Sequence, residues 1–247
     1  MKIVIIGNGI SGITAAKTLR KHSDHQIIVL SDESELFFSR TALMYVFMGH
    51  MRAKDIIPHN KKFYDDNNIE LYLTRVRTVD FDSKSIILED DNFIDYDRLI
   101  IATGSKPRLM NWPGKQLDGG QTLYHIQDLE NIERLCENME RGIIVGGGLI
   151  GVELAEMLHS RNIPVTMLVR ESQYWSSVLP LEEAKMVSDH IRTHSIDLKL
   201  NTELNEIWGD KKKVKMILTN TGEKINCEFV GLTVGVQPNI EFLHFTK

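Results

Sequence analysis

Lys2-Ile3-Val4-Ile5-Ile6-Gly7-Asn8-Gly9-Ile10-Ser11-Gly12 opens the chain, and Gly142-Ile143-Ile144-Val145-Gly146-Gly147-Gly148-Leu149-Ile150-Gly151 repeats its plan in the second half. In each stretch a short run rich in β-branched residues feeds Gly-x-Gly-x-x-Gly, and an alanine- or leucine-rich helical stretch follows. The motif needs that strand–turn–helix context before it reads as a phosphate cradle. The first glycine permits the tight turn off the strand. The second lets the backbone approach a pyrophosphate, and the third lets the helix pack closely on the sheet. The helix N-terminus adds free N–H groups and a partial positive charge. One copy points to a dinucleotide; two copies point to two dinucleotides that exchange electrons.

Outward from the first copy, strand 2–6, helix 11–22 and strand 26–30 make a β-α-β start. Residues 41–48 suit a short helix, and the polar run 65–68 a turn. Segments 69–73, 76–81, 85–88 and 98–102 alternate or carry β-branched residues, and read as a meander of strands. The breaker-rich run from Ser105 to Gly114 is the best domain boundary. Beyond it come helix 127–139, strand 142–146, helix 149–161, strand 164–169, helix 181–194, and strands from Asp197 to Val234. The fold class is α/β, with two Rossmann-like dinucleotide-binding domains. Each has a central parallel sheet flanked by helices and a small antiparallel meander, and an internal duplication explains the shared order.

At the end of the second strand, Ser31-Asp32-Glu33 offers an acid that can accept hydrogen bonds from ribose hydroxyls. Asp32 and Glu33 both qualify, with Glu33 preferred. The equivalent strand of the second half ends Val169-Arg170-Glu171. A guanidinium there suits the 2′-phosphate of NADPH, whereas an acid suits the free 2′-hydroxyl of NADH. Arg170 tilts the reading to NADPH, but Glu171 turned inward, or a solvated Arg–Glu pair, stays open.

The bulk properties narrow the classes. The 247 residues carry a net charge of −5, with 42% hydrophobic and 26% charged residues, which argues against nucleic acid as a partner. Lys211-Lys212-Lys213 reads as a solvated hairpin turn. No apolar stretch approaches the roughly 18 residues of a membrane span, so the expected location is cytoplasmic, with peripheral membrane attachment left open. Cys136 and Cys227 belong to no Cys-x-x-Cys motif and read as packed, reduced thiols. The nine histidines lack ligand spacing; His190 and His194 lie one helical turn apart without a third ligand, so no metal is expected.

Both glycine motifs, with Ala102-Thr103-Gly104 between them and Gly231 to Asn239 after them, resemble the pyridine nucleotide–disulfide oxidoreductase family across essentially the whole chain. The likeness is to the subgroup without a redox-active disulfide, the flavoprotein components of ferredoxin, rubredoxin and nitrite reductases. It implies an FAD domain over 1–112 and 235–247 and an NAD(P)H domain over 113–234. FAD would meet Gly7, Gly9, Ile10, Ser11, Gly12, Asp32, Glu33, Arg40, Thr41, Val76, Ala102, Thr103 and Gly104. NAD(P)H would meet Gly146, Gly148, Leu149, Ile150, Gly151, Arg170 and Gly235, with Glu153 near the nicotinamide. Glu153 also suits a plain surface acid in a helix's first turn. Tyr45 stands where several relatives carry a lysine, so a lysine–flavin contact does not carry over.

The implied activity is hydride transfer from NAD(P)H to FAD, and onward to an iron–sulfur protein, a quinone or oxygen. A nucleotide-binding sensor or scaffold without electron transfer is the rival reading. Family members continue past the return strand with a Gly-Asp motif and usually an interface domain. From that comparison the FAD domain is expected to be discontinuous and incomplete, the chain to be a truncated form that holds flavin weakly or is inactive, and a homodimer to be open to the full-length form.

Overall fold

The computed structural model describes residues 1–243; the end of the expected FAD segment, 244–247, lies outside the described residues. In chain order the first half forms β1 (Lys2–Ile6), α1 (Ile10–His22), β2 (Gln26–Ser31), α2 (Leu43–Phe47), α3 (Lys61–Asp66) and β3 (Ile69–Leu73). Next come β4 (Val76–Asp80), β5 (Ser85–Leu88), β6 (Phe93–Asp95), β7 (Arg98–Ile101), β8 (Ser105–Pro107) and β9 (Gly120–Gln121). The second half forms α4 (Ile126–Cys136), β10 (Gly142–Val145), α5 (Leu149–Ser160), β11 (Val165–Val169), α6 (Leu181–Thr193) and β12 (Asp197–Leu200). It closes with β13 (Leu204–Asp210), β14 (Lys213–Thr219), β15 (Lys224–Asn226), β16 (Phe229–Leu232) and β17 (Val236–Pro238).

The chain divides into two compact units. One comprises Met1–Ala42, Met51–Lys106 and the described residues from Pro238 onward; the other comprises Leu43–His50 and Pro107–Gln237. These divisions fall at 106/107 and 237/238, where the sequence placed domain boundaries at 112/113 and 234/235.

The first unit holds a parallel sheet ordered β3-β2-β1-β7. Its central strands read as unbroken apolar runs because both faces are covered. Ile5, Ile27 and Val29 pack with Ile13 and Ala16 of α1 and Tyr64 of α3. Val4, Ile6, Ile28 and Leu30 face the opposite way, onto Val79, Ile86 and Leu88 of the antiparallel β4-β5-β6 meander.

Two sequence assignments change here. Segments 69–73 and 98–101 leave the meander, because β3 pairs in parallel with β2 and β7 with β1. Each is the last strand on its side of the sheet and is partly exposed. Glu70 interrupts the apolar residues of β3, and β7 is a four-residue run too short to tell its partners, so locally both match a meander strand. The polar run 65–68 also begins inside α3, which is only six residues long and is capped by Asn60, whose side chain accepts the Phe63 N–H at 3.1 Å. Six residues are too few to display a helical period.

The second unit repeats the plan. Its parallel sheet runs β12-β11-β10-β16-β9. Ile143, Val145, Leu168, Val230 and Leu232 face Leu204, Ile207, Val214, Ile217 and Ile225 of the β13-β14-β15 meander. Lys211 and Lys212 make the two-residue turn of the β13–β14 hairpin, both at positive φ (49° and 66°). The short helix α2 packs on α4 and α5 of this unit: Phe47 is fully buried, Arg161 Nη2 donates to its carbonyl at 2.7 Å, and the guanidinium stands 4.6 Å from its ring centre.

Candidate functional site

Each parallel sheet reverses its strand order beside the strand that carries a glycine motif, between β1 and β7 and between β10 and β16. Ligands of open α/β sheets bind at the carboxyl ends of strands at such switch points. Gly7 follows β1 at φ +111°, and a Cβ there would overlap the carbonyl oxygen of Ala102, just past β7. A Cβ on Gly12 would overlap the Gly7 carbonyl. Gly9 differs: a Cβ there meets nothing within 4 Å, and no side chain caps α1 above it. Two glycines are thus required by packing, while the third borders open space under uncapped helix N–H groups. Ile10 and Ser11 are exposed at the same edge. Uncapped donors facing open space suit a pyrophosphate.

The other candidate residues of this unit fall into three groups. Glu33 and Arg40 come together, with Nη1 to Oε1 at 2.9 Å and Nη2 to Oε2 at 2.5 Å, and the guanidinium lies 5.2 Å from the Phe38 ring centre. Asp32 and Thr41 are exposed beside them. Ala102 donates its N–H to Ile6 at 2.8 Å, and Gly104 sits at φ +63° two residues on. Val76 starts β4 and packs against the meander core.

The second cradle follows the same rules. Gly146 has φ +118°, and a Cβ would stand 2.5 Å from the Thr233 carbonyl oxygen, just past β16. A Cβ on Gly151 would stand 2.5 Å from the Gly146 carbonyl oxygen, whereas one on Gly148 meets nothing within 4 Å. No side chain caps α5; Leu149 is exposed and Ile150 half-buried. Glu153 is half-buried on α5, where burial first, and Glu156 second, push its carboxyl pKa up. Val169 ends β11 fully buried, and the exposed Arg170 pairs with Glu171 at 2.9 Å. Gly235 takes φ +105° two residues after Thr233, as Gly104 does after Ala102.

Three further residues contact the two glycine loops or belong to them. Thr233 is buried, and its Oγ1 donates to the Val145 carbonyl at 2.9 Å. Its place one residue past β16, like that of Ala102 past β7, is its signal in the sequence. Tyr174 is buried with its hydroxyl 3.5 Å from the Gly148 carbonyl, and burial pushes its pKa up to about 12. Asn8, at a variable position of the first motif, is also buried. Elsewhere, burial pushes the Cys136 and Cys227 thiols up to about 11 and about 12. Among the described residues no group of three His, Cys, Asp or Glu is placed to hold a metal ion, and no helix is long and apolar enough to cross a membrane.

Comparison with known proteins agrees with this geometry. The family described as pyridine nucleotide-disulphide oxidoreductase matches residues 1–247. An NADH oxidase of Methanocaldococcus jannaschii is 32% identical over 98% of this chain and 56% of its own length. A rubredoxin-NAD(+) reductase of Pseudomonas putida is 30% identical over 98% of this chain and 63% of its own. The structure of an NAD-dependent persulfide reductase from A. fulgidus superposes with a TM-score of 0.92 at 25% identity, over 98% of this chain and 47% of that one. The chain therefore spans a little over half the length of the two curated relatives.

Proposed function

This chain belongs to the pyridine nucleotide-disulphide oxidoreductase family, and from that premise we propose that it works as an FAD-dependent NAD(P)H oxidoreductase. The observation that carries the reading is the pair of cradles, each with two glycines required by packing and a third bordering open space beneath an uncapped helix. The residues of the first unit fit FAD: its pyrophosphate on Gly7, Gly9, Ile10, Ser11 and Gly12, its ribose at Glu33. Arg40, Thr41, Val76 and Ala102-Thr103-Gly104 complete that site. The second unit would take NAD(P)H on Gly146, Gly148, Leu149, Ile150 and Gly151, with Arg170 toward the adenosine ribose, Glu153 toward the nicotinamide and Gly235 on the returning strand.

When bound, flavin accepts a hydride from a reduced nicotinamide and passes the electrons on. The protein's share is orientation and charge: helix N-termini neutralise phosphates, and the Glu33 carboxylate accepts from ribose hydroxyls. With both thiols pushed far above neutral pH, the electron route proposed here uses no thiol relay. The acceptor is proposed only by class, an iron–sulfur protein, a quinone or oxygen, because relatives of similar likeness bear names as different as NADH oxidase and rubredoxin reductase. The proposed location is the cytoplasm.

The test is an absorption spectrum of the purified protein reconstituted with FAD, recorded before and after anaerobic NADH or NADPH. Bound flavin whose bands bleach is the expected result. A full-length protein that stays colourless after reconstitution, or bound flavin indifferent to both nicotinamides, overturns the proposal. In the same titration Arg170→Glu is expected to lower NADPH affinity about tenfold relative to NADH, the scale of one charge-assisted hydrogen bond.

A further inference from the structure

Asn8 fills the first variable position of the first cradle, yet it is only 7% exposed. Its Nδ2 donates to the Glu35 carbonyl at 3.0 Å, across 27 residues of sequence. A carbonyl accepts only from a donor, so the orientation of the amide follows, and Oδ1 is left buried without a hydrogen-bond partner. A leucine of similar volume would avoid that desolvation penalty. The carboxamide is therefore explained by the hydrogen bond it makes rather than by packing.

A second anchor lies two residues further along. Tyr64 is fully buried, and its hydroxyl oxygen accepts the Phe37 N–H at 3.3 Å. Burial pushes the Tyr64 pKa up, opposed by that N–H and by the Asn8 side chain beside it. Asn8 and Tyr64 thus hold the backbone at Glu35 and Phe37. Glu33 and Arg40 flank that stretch in sequence and join each other in their two-pronged pair.

The second cradle is braced differently. Gly147 holds the equivalent position, and a Cβ there would stand 3.1 and 3.2 Å from Val169 and 3.6 Å from Tyr174. The buried Tyr174, which is not part of the loop, brings its hydroxyl to 3.5 Å from the Gly148 carbonyl. Of the two loops, only the first sends the side chain at this position to a neighbouring segment, the one flanked by the Glu33–Arg40 pair.

We propose that Asn8 is a positioning residue of the first site. Its carboxamide holds the Glu33–Arg40 segment to the glycine loop, so that the loop's N–H donors and the Glu33–Arg40 pair address one ribose–pyrophosphate ligand together. The inference rests on the reading of the first unit as a flavin dinucleotide site.

FAD and NAD(P)H affinities are measured separately on the full chain, for wild type, Asn8→Leu, Arg40→Lys and the double variant. Asn8→Leu is expected to keep its melting temperature and its NAD(P)H affinity while binding FAD about tenfold more weakly, the scale of a lost charge-presenting contact. Arg40→Lys is expected to weaken FAD binding less in the Asn8→Leu background than in wild type, because the guanidinium is no longer presented there. A folded Asn8→Leu that binds FAD as wild type does, or two substitutions whose effects simply add, overturns the role. A wild type that binds no FAD overturns the underlying reading, and the role falls with it. Should Asn8→Leu not fold, Asn8→Ser, too short to reach the Glu35 carbonyl, carries the same comparison with the same outcomes.

Discussion

Gly9 and Gly12 stand three residues apart in one turn and have opposite tolerances. A methyl group on Gly12 runs into the Gly7 carbonyl, so Gly12→Ala is expected to cost about 2–3 kcal/mol, as overpacking against fixed backbone does. Gly9 has φ −81° and open space around it, so Gly9→Ala should cost less than about 1 kcal/mol. Its loss should appear instead in FAD affinity, because the added methyl intrudes where the pyrophosphate is proposed to lie. Urea denaturation and FAD titration of the two variants separate the effects. Glu153 gives a prediction in pH. Its folded pKa lies above the unfolded value, so its contribution is fully present below the unfolded carboxylate range and is lost as pH rises through the folded pKa. The melting-temperature advantage of Glu153→Gln over wild type should therefore be near zero at about pH 4 and grow toward about pH 7. A difference that stays constant with pH would show that burial of the charge is not the cause.

Elements show where a local pattern carries its own instructions and where it does not. The β13–β14 hairpin turns on two lysines at positive φ, a conformation that costs a non-glycine residue roughly 1 kcal/mol. Both central residues of such a turn favour Asn-Gly. The double substitution Lys211→Asn, Lys212→Gly is expected to raise stability by about 1 kcal/mol, read as a shift of the thermal midpoint. The turn was legible because hairpin, charge run and meander lie within one short stretch of chain. Strands β3 and β7 were not, although their residues were recognised as strand. Each pairs with a strand far away in sequence, and each is a short, partly exposed strand at one end of the first parallel sheet, with nothing local to name its partner. Strand identity was local information; strand partnership was not.

At the scale of the molecule, the two halves of the sequence do not coincide with the two compact units. Residues 43–50 come from the first half and belong to the second unit, where Phe47 is fully buried. Phe47→Ala is therefore expected to destabilise the second unit by about 3 kcal/mol or more, the usual cost of an emptied aromatic site. The three tryptophans, Trp112, Trp175 and Trp208, all lie in that unit. Urea unfolding followed by intrinsic tryptophan fluorescence should thus show the full loss. An unchanged midpoint would mean that α2 contributes nothing to the unit it packs against.

The sequence by itself determined the duplicated strand–glycine–helix plan and the candidate phosphate positions. Those rest on neighbours in the chain: an apolar run long enough for a buried strand, a glycine where the backbone must turn, another where a helix must approach. Only the tertiary structure decided which strands complete each sheet, that Arg40 reaches Glu33, that Asn8 and Tyr64 hold the segment between them, and that Tyr174 and Thr233 close on the second loop. Apart from the Glu33–Arg40 pair, which spans seven residues of irregular chain, these are contacts between residues far apart in the chain, and no local period encodes any of them.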